Sequence, residues 1–206
     1  VSVPTFDPNL FVNGINHVDY SALTNDPDKP LYNRALRGVY PPGSTVKPFL
    51  ALGGLEYGVR RPEDTVFSTG QFCLPGHGGS NSTGRGGCYR DDTRGGDGTV
   101  NMVRAIEKST NTYFYKLALD LGIDRLSEWM SRFSFGSKTG IDLLGESDGI
   151  LPSREWKAAH SKFGWFPGET VIAGIGQGYW AVTPLQLGHA IATFAGHGVP
   201  YAPRLV

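Results

Sequence analysis

Apolar side chains recur at helical spacing through the middle of the chain. Within residues 101–121 they fall at Val103, Ile106, Phe114, Leu117 and Leu121. The polar run at residues 109–111 interrupts this pattern, and Gly122 ends it, since glycine disfavours the interior of a helix. The pattern therefore predicts two consecutive helical stretches that meet at a break near residue 110.

Further helices are predicted on both sides of this stretch. One should run from about residue 44 to residue 57 and stop at Gly58. Another is capped by Asp124 and continues to about Phe133. A capping box at Thr183-Pro-Leu-Gln186, with proline at the first helical position, opens a helix that ends near residue 195. Residues 19–24 predict a short helix, followed by a turn cluster at 25–30.

Few segments have the pattern of a strand. Residues 1–12 resemble an edge strand broken by Pro4 and Pro8, because proline cannot donate to a sheet ladder. Glycine and polar residues concentrate at 70–98, which predicts a long loop of the kind that is usually functional or disordered. No linker or repeat divides the chain, so we predict one domain over residues 1–206, mostly helical, with this loop inserted.

Charge and composition narrow the possible functions. Lys plus Arg and Asp plus Glu both number 19, so no net positive charge favours binding to nucleic acid. No apolar run reaches the roughly 18 residues that a membrane span requires, and no signal peptide is recognisable. The chain begins with Val1 rather than methionine, so we expect it to be a piece of a longer protein.

Ser44 and Lys47 form the first candidate catalytic pair. A serine hydroxyl is a weak nucleophile at neutral pH unless a base removes its proton. If Ser44 opens the predicted helix, Lys47 follows on the same face and within reach of that hydroxyl. Burial and neighbouring dipoles would have to lower the pKa of Lys47, so that its amine is neutral. An S-x-x-K pair alone is more often part of a solvated face, and it gains weight only with partners.

A second polar pair lies at the predicted helix break. Ser109 and Asn111 stand where one helical stretch gives way to the next, so a hydroxyl and a carboxamide could face one cleft. Ser109 would relay a proton between Lys47 and a leaving group. Asn111 would bond a substrate amide and the Lys47 ammonium. The alternative is a local helix cap, which is the commoner use of these residue types.

The two pairs together match the S-x-x-K and S-x-N motifs of penicillin-binding proteins and serine β-lactamases. The wider sequence resembles the class B penicillin-binding proteins, above all their elongation-specific members, with the division-specific members as the near alternative. This resemblance covers nearly the whole chain apart from residues 70–95. The stretches that carry it are Phe6-Asp-Pro-Asn-Leu-Phe11, Asn33-Arg-Ala-Leu-Arg-Gly38, Tyr40-Pro-Pro-Gly-Ser-Thr-Val-Lys-Pro-Phe49, Thr139-Gly-Ile-Asp-Leu143, Pro152-Ser-Arg-Glu-Trp156 and Gly174-Ile-Gly-Gln-Gly-Tyr-Trp180.

The resemblance implies an α+β transpeptidase fold of the penicillin-binding protein and serine β-lactamase type. Lys138-Thr-Gly140 reads as the third motif of that family, K-T-G, but only 29 positions separate Ser109 from Lys138, nearly filled by one helix. In the family this motif lies on a central strand far downstream, so we interpret Lys138 as part of a structural loop. We therefore expect the true motif and the C-terminal sheet beyond Val206, and this fragment alone to be inactive.

The function that the resemblance implies is that of a peptidoglycan D,D-transpeptidase. Ser44 would attack the amide between two D-alanines of a stem peptide, and the acyl group would pass to an amine of a neighbouring stem. β-Lactams would acylate the same hydroxyl, and no cofactor is implied for catalysis. The alternatives are a relative that senses β-lactams or acts as a scaffold without turnover, and a β-lactamase-type hydrolase. The hydrolase is disfavoured because no carboxylate resembles a base for deacylation.

The resemblance also implies a place and partners for the parent protein. A class B enzyme of elongation would lie at the periplasmic face of the bacterial inner membrane, held by an N-terminal helix outside this chain. Its partners would be the glycosyltransferase and scaffold proteins of the elongation complex, besides the stem peptide and β-lactam antibiotics.

Two cysteines in the predicted loop form a separate cluster with a histidine and a carboxylate. Cys73 and His77 flank a Pro-Gly turn, and Cys88 and Asp64 would complete a tetrahedral structural zinc site. Asp91 and Asp92 are alternative carboxylates. A disulfide between Cys73 and Cys88 explains the same residues and suits an oxidising compartment. Free thiols are the third alternative, and the sequence leaves the choice between zinc and disulfide open.

Overall fold

A long helix that is apolar on most of its faces lies at the centre of the fold. Helix α5 (Asn111–Ser131) buries Phe114, Leu117, Leu126 and Met130 completely. Helices α3 (Lys47–Glu56) and α7 (Pro167–Ala173) pack against it. The indole of Trp129 donates a hydrogen bond of 2.8 Å to the carbonyl of Phe49, which ties α5 to α3.

The computed structural model describes residues 2–75 and 87–205. The remaining helices in this part of the chain are α1 (His17–Asn25), α2 (Arg34–Arg37), α4 (Met102–Lys108), α6 (Arg154–His160) and α8 (Pro184–Ala195). Its strands are β1 (Val66–Ser68), β2 (Gln71–Cys73), β3 (Cys88–Arg90) and β4 (Gly98–Val100). Strand β1 pairs antiparallel with β4, and β2 pairs antiparallel with β3. No helix within the described ranges is long and apolar enough to span a bilayer.

The helices predicted from the apolar pattern are confirmed. Helix α4 ends at Lys108 and α5 begins at Asn111, so the break near residue 110 is present. Gly122 has φ 74° and ψ 157°, which interrupts α5 where the pattern predicted an end and a new start. The capping box of α8 is also formed, since the Thr183 hydroxyl accepts from the Gln186 amide at 3.0 Å and the Gln186 side chain accepts from the Thr183 amide at 2.9 Å.

The predicted edge strand at residues 1–12 was wrong. A 3₁₀ turn occupies Pro8–Phe11, because the carboxylate of Asp7 accepts from the amide of Asn9 at 2.9 Å and caps the turn. Proline at the first position of a helical turn loses no hydrogen bond. Pro8, one of the two prolines that broke the strand pattern, is therefore the residue that begins this turn.

The prediction of one continuous loop at 70–98 was also wrong. The two antiparallel pairs lie at its edges, with β2 directly opposite β3 and Cys73 paired with Cys88 in register. Strands of three residues are too short for an alternating pattern to be recognised. Helices α6 and α7 were missed for the same reason, since each has only seven residues.

Candidate active site

Ser44 lies at the surface in a 3₁₀ turn, Gly43–Val46, that runs directly into α3. The amide of Gly43 donates to the carbonyl of Gly176 at 2.9 Å, and Gly43 itself has φ 57°. A Cβ atom on Gly176 would lie 2.2 Å from the carbonyl oxygen of Gly43, so only glycine permits this approach. Contact with Gly176, in the stretch of residues 174–178, thus fixes the turn that carries Ser44.

Lys47 begins α3 and points inward, with only 2% of its surface exposed. Its ammonium donates to the carbonyl of Ser109 at 2.6 Å, to the hydroxyl of Ser109 at 2.9 Å and to the side-chain oxygen of Asn111 at 2.6 Å. The Nζ atom also lies 5.3 Å from the centre of the Phe114 ring. Three acceptors for three N–H donors leave the charged amine fully bonded despite its burial.

The turn at residues 109–111, called here the S-x-N turn, supplies these acceptors. Ser109 has φ 56° and ψ 37°, the left-handed conformation that ends α4 and reverses its side chain toward Lys47. Its hydroxyl lies 3.0 Å from the hydroxyl of Ser44. The structure therefore brings the four predicted residues together, and hydrogen bonds connect Ser44, Ser109, Lys47 and Asn111 in that order.

The electrostatics of this cluster favour a titratable amine. Burial lowers the pKa of Lys47 from the ordinary value of 10.5 to about 8. The carboxylates of Asp92, Asp91 and Asp97 act in the opposite direction and raise it. A neutral lysine is therefore accessible near physiological pH, which the predicted role as a base requires.

Contacts behind the S-x-N turn were not recognisable in the sequence. The carbonyl of Arg90 accepts from the Tyr115 hydroxyl at 3.1 Å and from the side-chain NH₂ group of Asn111 at 3.5 Å. Asp97 accepts from the hydroxyl of Thr110, and Asp91 accepts from the backbone amide of Thr112. From the sequence, Asp91 is recognisable only as an alternative metal ligand, together with Asp92, and Asp97 has no predicted role.

Lys138 lies elsewhere, in a loop closed by a buried glutamate. Glu146 accepts from the amide and the hydroxyl of Thr139, both at 2.7 Å, and from the amide of Gly140 at 3.3 Å. The side chain of Lys138 is exposed and lies 3.9 Å from Asp148. These contacts agree with the interpretation of Lys138-Thr-Gly140 as a structural loop, and residues 138–140 adopt no strand conformation.

The zinc site considered from the sequence is not supported. Cys73 and Cys88 form a disulfide, so their sulfurs are not thiolate ligands. Asp64 instead accepts from the amide and the guanidinium of Arg61, and His77 lies outside the described residues. Asp91, one of the alternative carboxylates, is occupied by Thr112. In the described ranges no three His, Cys, Asp or Glu side chains are grouped to hold a metal ion.

The disulfide can be tested by measuring the reactivity of the two cysteines. When the purified protein is unfolded in the presence of a chelator, Cys73 and Cys88 should not react with a thiol reagent, whereas reductant should release both of these thiols. A colorimetric thiol titration of denatured samples with chelator alone, reductant alone and neither distinguishes the alternatives. Thiols released by chelator without reductant would restore the metal site, and thiols titrated with neither would show free cysteines.

Comparison with known proteins shows that this sequence matches one family. The model of the penicillin binding protein transpeptidase domain matches residues 1–206. Peptidoglycan D,D-transpeptidase MrdA of Escherichia coli K12 is 49% identical to this chain over 206 residues, which are 100% of the chain and 31% of that protein. The chain thus spans about a third of the length of such curated relatives.

Solved structures show the same similarity in three dimensions. PBP2 of Pseudomonas aeruginosa, in complex with WCK 5153, superposes with a TM-score of 0.92 and 50% identity, over 99% of this chain and 44% of that one. PBP2 of Helicobacter pylori in its complex with MreC superposes with a TM-score of 0.88 and 34% identity, over 99% of this chain and 36% of that one.

Proposed function

This chain belongs to the penicillin-binding protein transpeptidase family, and from that premise we propose that it carries the nucleophile of a peptidoglycan D,D-transpeptidase. The observation that carries the proposal is the bonded set of Ser44, Ser109, Lys47 and Asn111. Its members come from two segments more than 60 residues apart, 62 positions in the case of Lys47 and Ser109. A local helix cap does not require that convergence.

The hydrogen bonds of Lys47 define a path for the proton. A neutral amine keeps two donors and gains a lone pair. The carbonyl of Ser109 and the side-chain oxygen of Asn111 can only accept, so they retain the two N–H groups. The hydroxyl of Ser109 can both donate and accept, so it turns its proton toward the lone pair. Ser44 then donates to Ser109, and the nucleophile is activated through one intervening hydroxyl.

Acylation follows from this arrangement with balanced bonds. The Ser44 oxygen attacks the carbonyl carbon between two D-alanines while its proton moves through Ser109 to Lys47. The carbon–nitrogen bond then breaks, and the proton returns through Ser109 to the departing D-alanine amine. An amine of a second stem peptide then attacks the resulting ester, the carbon–oxygen bond to Ser44 breaks, and a proton of the amine passes through Lys47 and Ser109 to the Ser44 oxygen, which forms the cross-link and restores the hydroxyl. The amide of Ser44 would be one donor to the oxyanion, a contribution of about 2.7–4 kcal/mol.

β-Lactams would enter the same path, because their strained amide presents a carbonyl to Ser44. The ring stays attached after its carbon–nitrogen bond breaks, so the ester persists where D-alanine would have left. For the complete transpeptidase domain we propose that residues 1–206 form mainly the helical part. The true K-[ST]-G motif, with its strand and second oxyanion donor, would belong to the remainder of the protein.

The whole protein would act in the periplasm at the inner membrane. The Cys73–Cys88 bridge supports an oxidising compartment. Because the similar PBP2 of Helicobacter pylori was solved with MreC, we propose an elongation scaffold of that kind as a partner, together with a glycosyltransferase. The stem peptide is the proposed substrate, and the chemistry requires no cofactor.

The function is tested with the full-length protein that contains this chain. We expect stoichiometric labelling by a fluorescent penicillin and release of D-alanine from a pentapeptide stem substrate, with a cross-linked product when an acceptor amine is supplied. Labelling without any release of D-alanine would indicate a β-lactam sensor or scaffold. Rapid loss of the label, faster than release of D-alanine, would indicate a hydrolase.

A further inference from the structure

An acidic segment, residues 91–97, lies directly behind the S-x-N turn. Asp97 accepts from the hydroxyl of Thr110 at 2.7 Å, and Thr110 is 1% exposed. Asp91 accepts from the amide of Thr112 at 2.6 Å through one oxygen and from the hydroxyl of Ser68 through the other. Both carboxylates therefore hold residues that flank or lie within the turn.

The beginning of α5 shows why these contacts matter. Thr110 is the N-cap residue of α5, and a threonine in this place ordinarily accepts from an amide of the first turn. Here the Thr110 hydroxyl makes no such cap, because it donates to Asp97 instead. The amide of Thr112, in the first turn, is satisfied by Asp91. The cap of the helix has thus been transferred from its own residue to another segment of the chain.

The acidic segment is itself anchored. The amide of Asp91 donates to the carbonyl of Gly70 at 3.0 Å, and the amide of Asp97 donates to the hydroxyl of Ser68 at 3.4 Å. Gly70 and Gly96 approach so closely that a Cβ on Gly96 would lie 2.3 Å from the Gly70 nitrogen. Carboxylates held in this way can impose a position on the residues they bind.

The turn needs such support. Ser109 is left-handed, with φ 56°, which is an unfavourable conformation for a residue with a side chain. A relaxation of this turn would move its hydroxyl away from Ser44 and its carbonyl away from Lys47. Resting on the proposed function, we propose that Asp97 and Asp91 are positioning residues that hold Ser109 and Asn111 in register with Ser44 and Lys47. Asp97 acts through the hydroxyl of Thr110, and Asp91 through the amide of Thr112.

The first test separates the hydrogen bond from the charge in the full-length protein. Asp97→Ala should lower the maximal rate of acylation by a fluorescent penicillin about 10- to 100-fold, the loss expected from a misplaced catalytic group. Asp97→Asn should keep the maximal rate within about threefold of that of the parent protein, because its side-chain oxygen still accepts from the hydroxyl of Thr110. Thr110→Val should match Asp97→Ala, and the double variant should lose no more than either single one.

The pH profile adds a readout that loss of folding would not imitate. Among the residues that the structure describes, the carboxylates of Asp92, Asp91 and Asp97 act on Lys47, and each raises the pKa of its amine. Asp97→Asn should therefore move the acidic limb of the rate profile to lower pH. Asp92→Asn, at an exposed neighbour, is the matched control. It should move the limb in the same direction and leave the maximal rate unchanged.

Amide hydrogen exchange tests the positioning role without any reaction. Amides of residues 109–112 should exchange about tenfold faster in Asp97→Ala and Thr110→Val, and at the normal rate in Asp92→Asn. Unchanged exchange together with an unchanged maximal rate in Asp97→Ala would overturn the proposal. Additive losses in the double variant would also overturn it. If the parent protein were not acylated at all, the proposed function would fail, and the exchange measurement would still decide the inference.

Discussion

Replacement of Ser44 by alanine should lower the rate of acylation of the full-length protein by a factor of at least about 10³. Ser44 supplies the attacking oxygen, and the hydroxyl of Ser109 is engaged by Lys47 at 2.9 Å. None of the three hydrogen bonds of Lys47 uses the side chain of Ser44, so the remainder of the site should stay assembled. Covalent labelling by a fluorescent penicillin, followed by peptide mapping, measures the effect.

The control is the adjacent hydroxyl. Thr45 donates to the carbonyl of Pro42 at 2.7 Å and is exposed, and Thr45→Val keeps its shape. This variant should retain more than about half of the labelling, because the hydroxyl of Ser44 is untouched. The melting temperature of Ser44→Ala should stay near that of the parent, as an exposed substitution usually changes stability by less than about 0.5 kcal/mol. A labelled peptide in Ser44→Ala would assign the nucleophile elsewhere.

The sequence predicted those parts of the fold whose signals repeat or stand close together. The pattern over residues 101–121 extends through several helical turns, so a break of three residues was visible within it. Thr183 and Gln186 form a reciprocal cap within four residues, and this spacing is recognisable in the sequence. Strand β2 has no such redundancy, because two alternations cannot be distinguished from chance.

The candidate site was predictable for a related reason. Each half of the site is a local sequence motif. Ser44 and Lys47 lie at the start of one predicted helix, and Ser109 and Asn111 lie at the predicted break between two others. Their approach in space had to come from the resemblance, because the packing of α3 against α5 is not encoded in either motif. Asp97 and Asp91 were inaccessible to such reasoning, since their partners are 13 and 21 positions away. Gly176 belongs to the stretch Gly174-Ile-Gly-Gln-Gly-Tyr-Trp180 that carries the resemblance, but only the structure shows that it supports Gly43.

For the two cysteines, the sequence could not decide between the alternatives, and the structure was needed. Sequence chemistry gave two consistent explanations for Cys73 and Cys88, and both require the sulfurs to be close. The register of the β2–β3 hairpin makes them direct cross-strand neighbours and joins them covalently. A zinc ion would instead need four donors around one point.

Replacement of Lys47 by either arginine or methionine should lower the maximal rate of acylation about 10²- to 10⁴-fold, the usual contribution of a general base. Arginine keeps the positive charge and its donors but is never neutral in a protein, so it cannot accept the proton of Ser109. Methionine keeps an unbranched side chain but has no basic group. Both losses together distinguish basicity from charge, since a lysine that merely attracts the substrate would be replaced by arginine with little effect.

The pH profile completes the argument. Because the pKa of Lys47 is about 8, the rate in the parent should rise about tenfold per pH unit below that value and level off above it. This limb should vanish in Lys47→Met. The matched control is Lys157, a second buried lysine, which pairs with Glu169 outside the site. Lys157→Met should lower the melting temperature, because Glu169 loses its cation, and should leave the limb in place. Full activity of Lys47→Arg, or an unchanged limb in Lys47→Met, would assign the base to another group.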